Sequence, residues 1–522
     1  MTHNNLSGIA KTSSNCMHQD VKRAGLREWA GLALLSLPTI LLGLDLTLLH
    51  LTLPVLAIDL RPTSTQALWI MDAYGFLIAG FLITMGTLGD RIGRRKLLLI
   101  GATAFAIASV IAAFSTSAFI LIAARAALGI AGATLMPSTL ALISNLFTDP
   151  RQRALGFGIW ATMFGIGYAL GPVVGGALLE QFWWGAAFLI AVPVVGLLLL
   201  LGPLLLPEYR APNSGKLDLF SVALSLSAIL PMIYGIKQIA KYGVTPDTIA
   251  SIAVGTVCAF LFVKRQRQLT DPLLDLTLFS NRAFSVALIV LLVGLVAVGG
   301  AMLLVAQYLQ LVVGYPPFVA GLWMGLAALA MIIGGIASPL VAQYIRPGFV
   351  VAGSLGLSAV GYLMFTQLGN NTYDVMIAVT GLALAYLGNG TIAALGTELV
   401  VGSAPSEKAG SASAMTETVQ DLGVSLGIAL LGSIASAVYR YTILNQIPDD
   451  LAGNMREAVS DSLWSASSVA SELPAGLLVE AQIAFTSGFH TAAAISALGI
   501  AILAILAAIT LHRIGIYDDK QQ

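Results

Sequence analysis

Residues 86–96 read Gly86-Thr87-Leu88-Gly89-Asp90-Arg91-Ile92-Gly93-Arg94-Arg95-Lys96, set between two long apolar runs. A turn this dense in charge and glycine, flanked by segments with almost no charge, has the composition of a loop joining two membrane-spanning helices. Lys and Arg collect in loops on the cytoplasmic side, and glycine lets helix ends approach closely. The rest of the chain agrees. Of 522 residues, 57% are hydrophobic and only 10% charged, where a soluble globular chain carries roughly 25% charged residues. Mean hydropathy is +0.88. The solvent for which this chain is built is lipid.

Net charge is zero, so no basic face points to nucleic acid. Cys16 lies in a polar N-terminal tail and Cys258 in an apolar run, which argues against a structural disulfide. No metal-ligand cluster, nucleotide-binding P-loop or Ser/His/Asp constellation is visible, so no resident cofactor and no enzymatic activity are expected. Apolar runs of the roughly 17–25 residues needed to cross a bilayer fall at 29–51, 67–88, 97–114, 118–142, 155–178, 187–206, 219–240, 247–265, 283–312, 318–342, 349–368, 375–400, 410–438 and 487–511. The first is too long for a signal-peptide core and reads as a retained span. The expected class is therefore an all-α integral membrane protein with fourteen transmembrane helices.

An even count puts both termini on one side. Alternate loops hold Lys22, Arg23 and Arg27; Arg91, Arg94, Arg95 and Lys96; Arg151 and Arg153; Arg210 and Lys216; Lys264, Arg265, Arg267 and Arg282; Arg346; Lys408; Arg513 and Lys520. The opposite loops hold only Arg61, Lys241, Arg440 and Arg456. The positive-inside rule makes the first set, and both termini, cytoplasmic. The last external loop, 441–486, is long and acidic, and its apolar spacing predicts two short amphipathic helices before a break at Pro474–Gly476.

Ionisable groups at bilayer depth cost roughly 2.5–3.5 kcal/mol each on insertion scales, so they mark cavities and function. Lys237, near the outer end of its run, reads as snorkelling to the headgroups, and Glu398 as reaching them at the inner end. Five groups are harder to dismiss. Asp45, Asp72 and Arg125 share a depth on the external side of their spans. Glu417 and Asp421, four apart, stack on one face of the thirteenth. Asp45 and Arg125 are either a working pair or a fixed ion pair, and the other acids either meet a ligand or bond neighbouring helices. Counted together, the groups leave a surplus of acid. A low-dielectric cleft with surplus acid suits protons and organic cations, which compete for the same carboxylate. Trp69, Tyr74 and Trp323 offer cation–π faces nearby, and His50 reads as a lining residue.

The opening loop resembles the signature Gly-x-Leu-x-Asp-Arg-x-Gly-Arg-Arg of the major facilitator superfamily, with Gly86, Asp90, Arg91, Gly93 and Arg94 at the signature positions. Span four, Leu121-x-x-x-Arg125-x-x-x-Gly129-x-x-Gly132-Ala133, resembles the family motif whose buried arginine is linked to proton transfer. Span five, Gly167-x-x-x-Gly171-Pro172-x-x-Gly175-Gly176, resembles the antiporter motif of exporters. With Leu44-Asp45-x-Thr47, Trp69-Ile70-x-Asp72-x-Tyr74 and Glu417-Thr-Val-Gln-Asp421, the chain is similar to the fourteen-span drug:proton antiporters over residues 29–511. The resemblance implies a tail at 1–28, a six-helix bundle at 29–206, two inserted helices at 219–265 with a packing role, and a second six-helix bundle at 283–513 that includes the external loop 441–486. It departs at His50, where relatives often carry Asn, and at Met331, where some carry an acid, which disfavours dications.

The resemblance further implies a monomeric exporter of lipophilic cationic drugs, dyes and quaternary ammonium biocides in the bacterial inner membrane, powered by the proton gradient. Asp45 and Arg125 would couple protons; Asp72, Glu417, Asp421, Trp69, Tyr74 and Trp323 would meet the cargo. Two alternatives stay open: the same fold exporting an endogenous lipid, siderophore or basic amino acid, and a non-transporting membrane scaffold or sensor. The topology is open to direct measurement. With an impermeant thiol reagent on intact cells, a cysteine placed within 449–461 labels and one placed at position 14 does not. Labelling of both, or of position 14 alone, contradicts the fourteen-span arrangement.

Overall fold

The computed structural model describes residues 24–511 apart from 148, 209, 211–217, 270, 271, 273, 275, 370, 371, 404–408, 449 and 450. Most of the expected tail, Lys408 and the basic residues after 511 lie outside the described residues. Among those described there is no strand. Fourteen helices are long and apolar enough to cross a membrane. Their outward faces carry large apolar side chains such as Phe119, Leu200, Phe260, Ile336 and Leu498. An apolar rim of this extent is stable only against lipid.

The N-terminal group comprises α1 (Leu26–Leu60), α2 (Ser64–Ile92), α3 (Arg94–Ala113), α4 (Ala118–Leu146), α5 (Pro150–Gln181), and a span broken into α6 (Ala186–Leu189) and α7 (Ala191–Leu205). The inserted pair is α8 (Leu219–Tyr242) and α9 (Pro246–Gln266). The C-terminal group comprises α10 (Arg282–Gln307), α11 (Pro317–Ala342), α12 (Pro347–Phe365), α13 (Thr372–Thr391), α14 (Thr397–Gly402), α15 (Ala409–Leu444), the short α16 (Gly453–Asp461) and α17 (Leu463–Ser468), and α18 (Leu477–Leu511). Turns of π-helix extend α10 over Tyr308–Val312 and join α13 to α14 over Ile392–Gly396. Local chemistry sets the starts. Thr63 forms a capping box with Gln66, Ser117 caps α4, Asn281 caps α10, and Thr245 with Pro246 opens α9.

Within the N-terminal group α1 packs on α5 and α4 on α2 and α3; within the other, α15 packs on α10, α13 on α11 and α18 on α12. The groups meet mainly through α5 against α11 and α2 against α15. Two short helices, α16 and α17, do stand in the last long loop, as the spacing predicts. The final span, however, begins at Leu477, ten residues before the expected 487. The polar residues that disguise its first turns have a use: Gln482 Nε2 donates to the Leu311 carbonyl of the π-helical turn at 2.8 Å.

The inserted pair also departs from expectation. Asp218 caps α8 and takes both Arg265 Nε and Nη2 at 2.9 Å, stapling the hairpin at its base. The hydrogen bonds from Arg265 hold the Asp218 carboxyl at about 2, well below its ordinary value. That contribution to stability is present above the unfolded value near 4 and is lost as pH falls toward 2. Helix α9 is peripheral. Helix α8 is not: Ile233 packs with Phe76 of α2 and Ala429 of α15 in one buried cluster, so α8 lies along the seam between the two groups.

Helices α1 and α5 pack backbone against backbone. A Cβ on Gly167 would strike the Ile40 backbone carbonyl, whereas one on Gly165, on the same helix, would meet nothing within 4 Å. Overpacking of a dense contact costs about 1–3 kcal/mol. Gly167→Ala is expected to lower the thermal midpoint in detergent and Gly165→Ala to leave it unchanged. Equal midpoints for the two variants contradict this packing.

Candidate functional site

Arg125 of α4 organises the N-terminal group. Its Nη1 donates to Asp45 Oδ2 on α1 at 2.6 Å and its Nε to the Ile70 carbonyl on α2 at 3.1 Å. The guanidinium lies 4.5 Å from the centroid of the Tyr74 ring. One planar, always charged group thus holds three helices. A helical carbonyl keeps a second lone pair besides its ladder bond, and at Ile70 Arg125 takes it. Asp45 and Arg125 were expected at one depth, and they are in direct contact.

Asp72 was expected among the cargo acids. It already holds a cation. Lys237 Nζ of α8 sits 3.0 and 2.9 Å from the two Asp72 oxygens and 3.9 Å from the centroid of the Trp69 ring. Both charged side chains are 0% exposed. The snorkelling assigned to Lys237 is therefore overturned: its ammonium points inward, because a carboxylate and an indole face are nearer than water. The depth counting that matched Asp45 to Arg125 also brings Lys237 within about a turn of Asp72, and would have found this pair had α8 been placed on the seam.

Two acids remain. Glu417 and Asp421 lie one helical turn apart on α15, where that helix meets α2. Asp421 is 7% exposed and its Oδ2 is buried without a hydrogen-bond partner. Neither acid has an ion-pair partner among the described residues. Tyr74 connects the two sets. Its ring stacks on Arg125, it lies within electrostatic reach of Asp45 and Asp421, and its hydroxyl is buried without a partner. The surplus negative charge of the interior is thus concentrated on α15.

Other expected residues fall elsewhere. Trp323 is half-buried on α11 against the core, with no ring contact or hydrogen bond to the acids. His50 is fully buried rather than lining, with Nδ1 3.2 Å from the Thr47 carbonyl and Nε2 unpartnered. Met331 is turned toward α13, where Asn389 Nδ2 approaches its sulfur at 3.6 Å. Glu398 is exposed in the first turn of α14, as its position suggested.

The signature loop is a C-cap and a clasp. Gly93 has φ +113°, which side-chain-bearing residues rarely adopt, and Arg94 reaches back to Asp90 at 2.6 Å. Arg95 binds the carbonyls of Pro203 and Leu206, tying the turn to the end of α7. In α5, Pro172 has no N–H to give to the Tyr168 carbonyl four residues earlier. The Thr47 hydroxyl of α1 donates to that carbonyl instead, at 3.0 Å. Gly171 and Gly175 take α1 in close contact, while Gly176 lies against Pro317 and Phe318 of α11. The motif therefore joins α5 to its own group and to the opposite one.

The chain belongs to the Major Facilitator Superfamily, whose family model matches residues 35–428. It is 41% identical to the multidrug efflux pump LfrA of Mycolicibacterium smegmatis, over 94% of this chain and 98% of that one. It is 33% identical to the methyl viologen resistance protein SmvA of Salmonella typhimurium, over 86% and 90% of the two chains. Among solved structures it resembles a bacterial homologue of the lysosomal transporter Spinster, captured inward-facing and unoccupied. That match has a TM-score of 0.66 and 15% identity, and covers 94% of this chain and 98% of the other. The last likeness is one of fold.

The Arg125 contacts make a quantitative test. Removing one partner of a buried pair costs about 3–5 kcal/mol because the other charge is left stranded. Arg125→Gln is expected to destabilise the protein on that scale in denaturant or thermal melts, and adding Asp45→Asn to recover part of the loss. Additive losses in the double variant contradict a coupled pair.

Proposed function

We propose that this protein is a proton-coupled antiporter that exports lipophilic organic cations, including quaternary ammonium biocides and dyes, from the cytoplasm. It lies in a bacterial inner membrane with both termini inside, as the Lys and Arg distribution indicates. The observation that carries this reading is the distribution of buried charge. Asp45 is matched by Arg125 and Asp72 by Lys237, whereas Glu417 and Asp421 have no ion-pair partner among the described residues. Uncompensated carboxylates in a low-dielectric interior are stabilised by a proton or by a cation. The two ligands therefore exclude one another, which is the elementary step of exchange. Relatives named for multidrug efflux and for resistance to methyl viologen, itself a bis-quaternary cation, favour cationic cargo.

In this reading Glu417 and Asp421 meet the cargo charge, and Tyr74 lies within electrostatic reach of Asp421. Asp45 is the coupling acid. Protonating it breaks the bond to Arg125, and Arg125 is what fastens α1 and α2 to α4. Proton binding thus loosens the N-terminal group, and the contacts made by Gly171 to Gly176 carry that change to α11. The energy is sufficient. One proton crossing ~150 mV releases about 3.5 kcal/mol, and each tenfold cation gradient costs about 1.4 kcal/mol. Two protons per monovalent cation support a gradient of several hundredfold after the cation's own charge is subtracted.

The test separates the two roles. Asp45→Asn is expected to abolish uphill export of every substrate while leaving cation binding measurable. Glu417→Gln and Asp421→Asn are expected to be selective, weakening some cations by about 1–2 kcal/mol, the scale of a charge-assisted contact. A substrate panel run on all three variants, with cation-triggered proton release measured in detergent, reads both effects. Normal proton release from Asp45→Asn, with none from Asp421→Asn, reverses the assignment.

A further inference from the structure

The surroundings of Lys237 have the composition of a receptor for an organic cation. A carboxylate and an indole face both lie against the charge, the kinds of group that recognise ammonium ions in general. Here the occupant is part of the chain: Nζ lies 3.0 Å from Asp72 Oδ1 and 3.9 Å from the Trp69 centroid. The lysine comes from α8, one of the two inserted helices, at the seam where α8 touches both α2 and α15. A small cavity lined in part by Lys237, Ser64, Ser433, Arg440 and Asp461 lies beside this lysine.

We infer that Lys237 is a specificity-determining residue: a tethered cation that keeps the Asp72–Trp69 box closed to cargo and leaves charge recognition to Glu417 and Asp421. The inference rests on the efflux reading above. A tethered ammonium competes at the high effective concentration of any intramolecular ligand. A cargo cation entering the box would also strand Lys237 in a buried site without a counter-charge. The protein therefore presents one anionic site to cargo, on α15, although it possesses the side chains for two. The second lies across the α2–α15 contact, where Gly75 abuts Ser425. A cargo with two separated positive charges is the ligand that both sites together would suit.

Lys237→Met keeps an apolar stem and removes the charge. Lys237→Gln removes the charge while retaining a hydrogen bond to Asp72, which preserves folding where Met does not. Either is expected to raise the ratio of kcat/KM for a bis-quaternary over a mono-quaternary alkylammonium of equal carbon count by about tenfold, the worth of one charge-assisted contact. Lys237→Arg and the double variant Asp72→Asn/Lys237→Met, which refill or discharge the box, are expected to keep the wild-type ratio. The measurement is transport in proteoliposomes, with thermal midpoints recorded for every variant. A wild-type ratio in folded Lys237→Gln overturns the inference, as does a uniform fall for both cations, which marks Lys237 as a staple only. Absence of transport of either cation by the wild-type protein overturns the efflux reading itself.

Discussion

A charge buried in a low-dielectric interior must be matched, protonated or liganded, and the arrangement of this protein follows from that constraint. Arg125 satisfies Asp45 and at the same time gathers α1, α2 and α4. Lys237 satisfies Asp72 and draws an inserted helix onto the seam between the two groups. Glu417 and Asp421 are left with no basic partner among the described residues. Structure holds Asp72 in a fully buried pair and Asp45 in a bond that a proton would break. The last two acids have neither, and they stand on the helix that faces the opposite group.

Backbone polar groups obey the same constraint. A proline in a spanning helix frees a carbonyl that lipid cannot satisfy. In α5 the carbonyl freed by Pro172 is taken by Thr47 of α1, so the gap in the hydrogen-bond ladder is also a contact between helices. The π-helical turn after α10 behaves alike, since its Leu311 carbonyl is taken by Gln482 of α18. In both places the irregular backbone is completed by a neighbouring helix.

Much of this was legible in the sequence. Apolar run length fixed the number of spans, because lipid leaves helices few alternatives, and helical depth counting brought Asp45 to Arg125. Glu417 and Asp421 declared their shared face by spacing alone. What escaped was the identity of partners between helices distant in sequence. Lys237 was assigned to the headgroups because a lysine near a helix end usually reaches water; the carboxylate that holds it is 165 residues away. The first turns of α18 were read as loop because Glu480 and Gln482 are polar, and the use of Gln482 depends on a π-helical turn that no local pattern announces. Trp323 was grouped with the acids by residue type, and it is half-buried against the core.

We propose that protons and organic cations exchange through the carboxylates of this interior, Asp45 in its pair with Arg125 and Glu417 and Asp421 on α15. The most direct measurement uses purified protein in proteoliposomes loaded with a fluorescent monovalent cation, with a pH gradient imposed across the membrane. Cation movement against its own gradient, collapsing with a protonophore and accompanied by opposite proton flux, is the result this account predicts. Cation movement that ignores the pH gradient, or proton flux that ignores the cation, would contradict it.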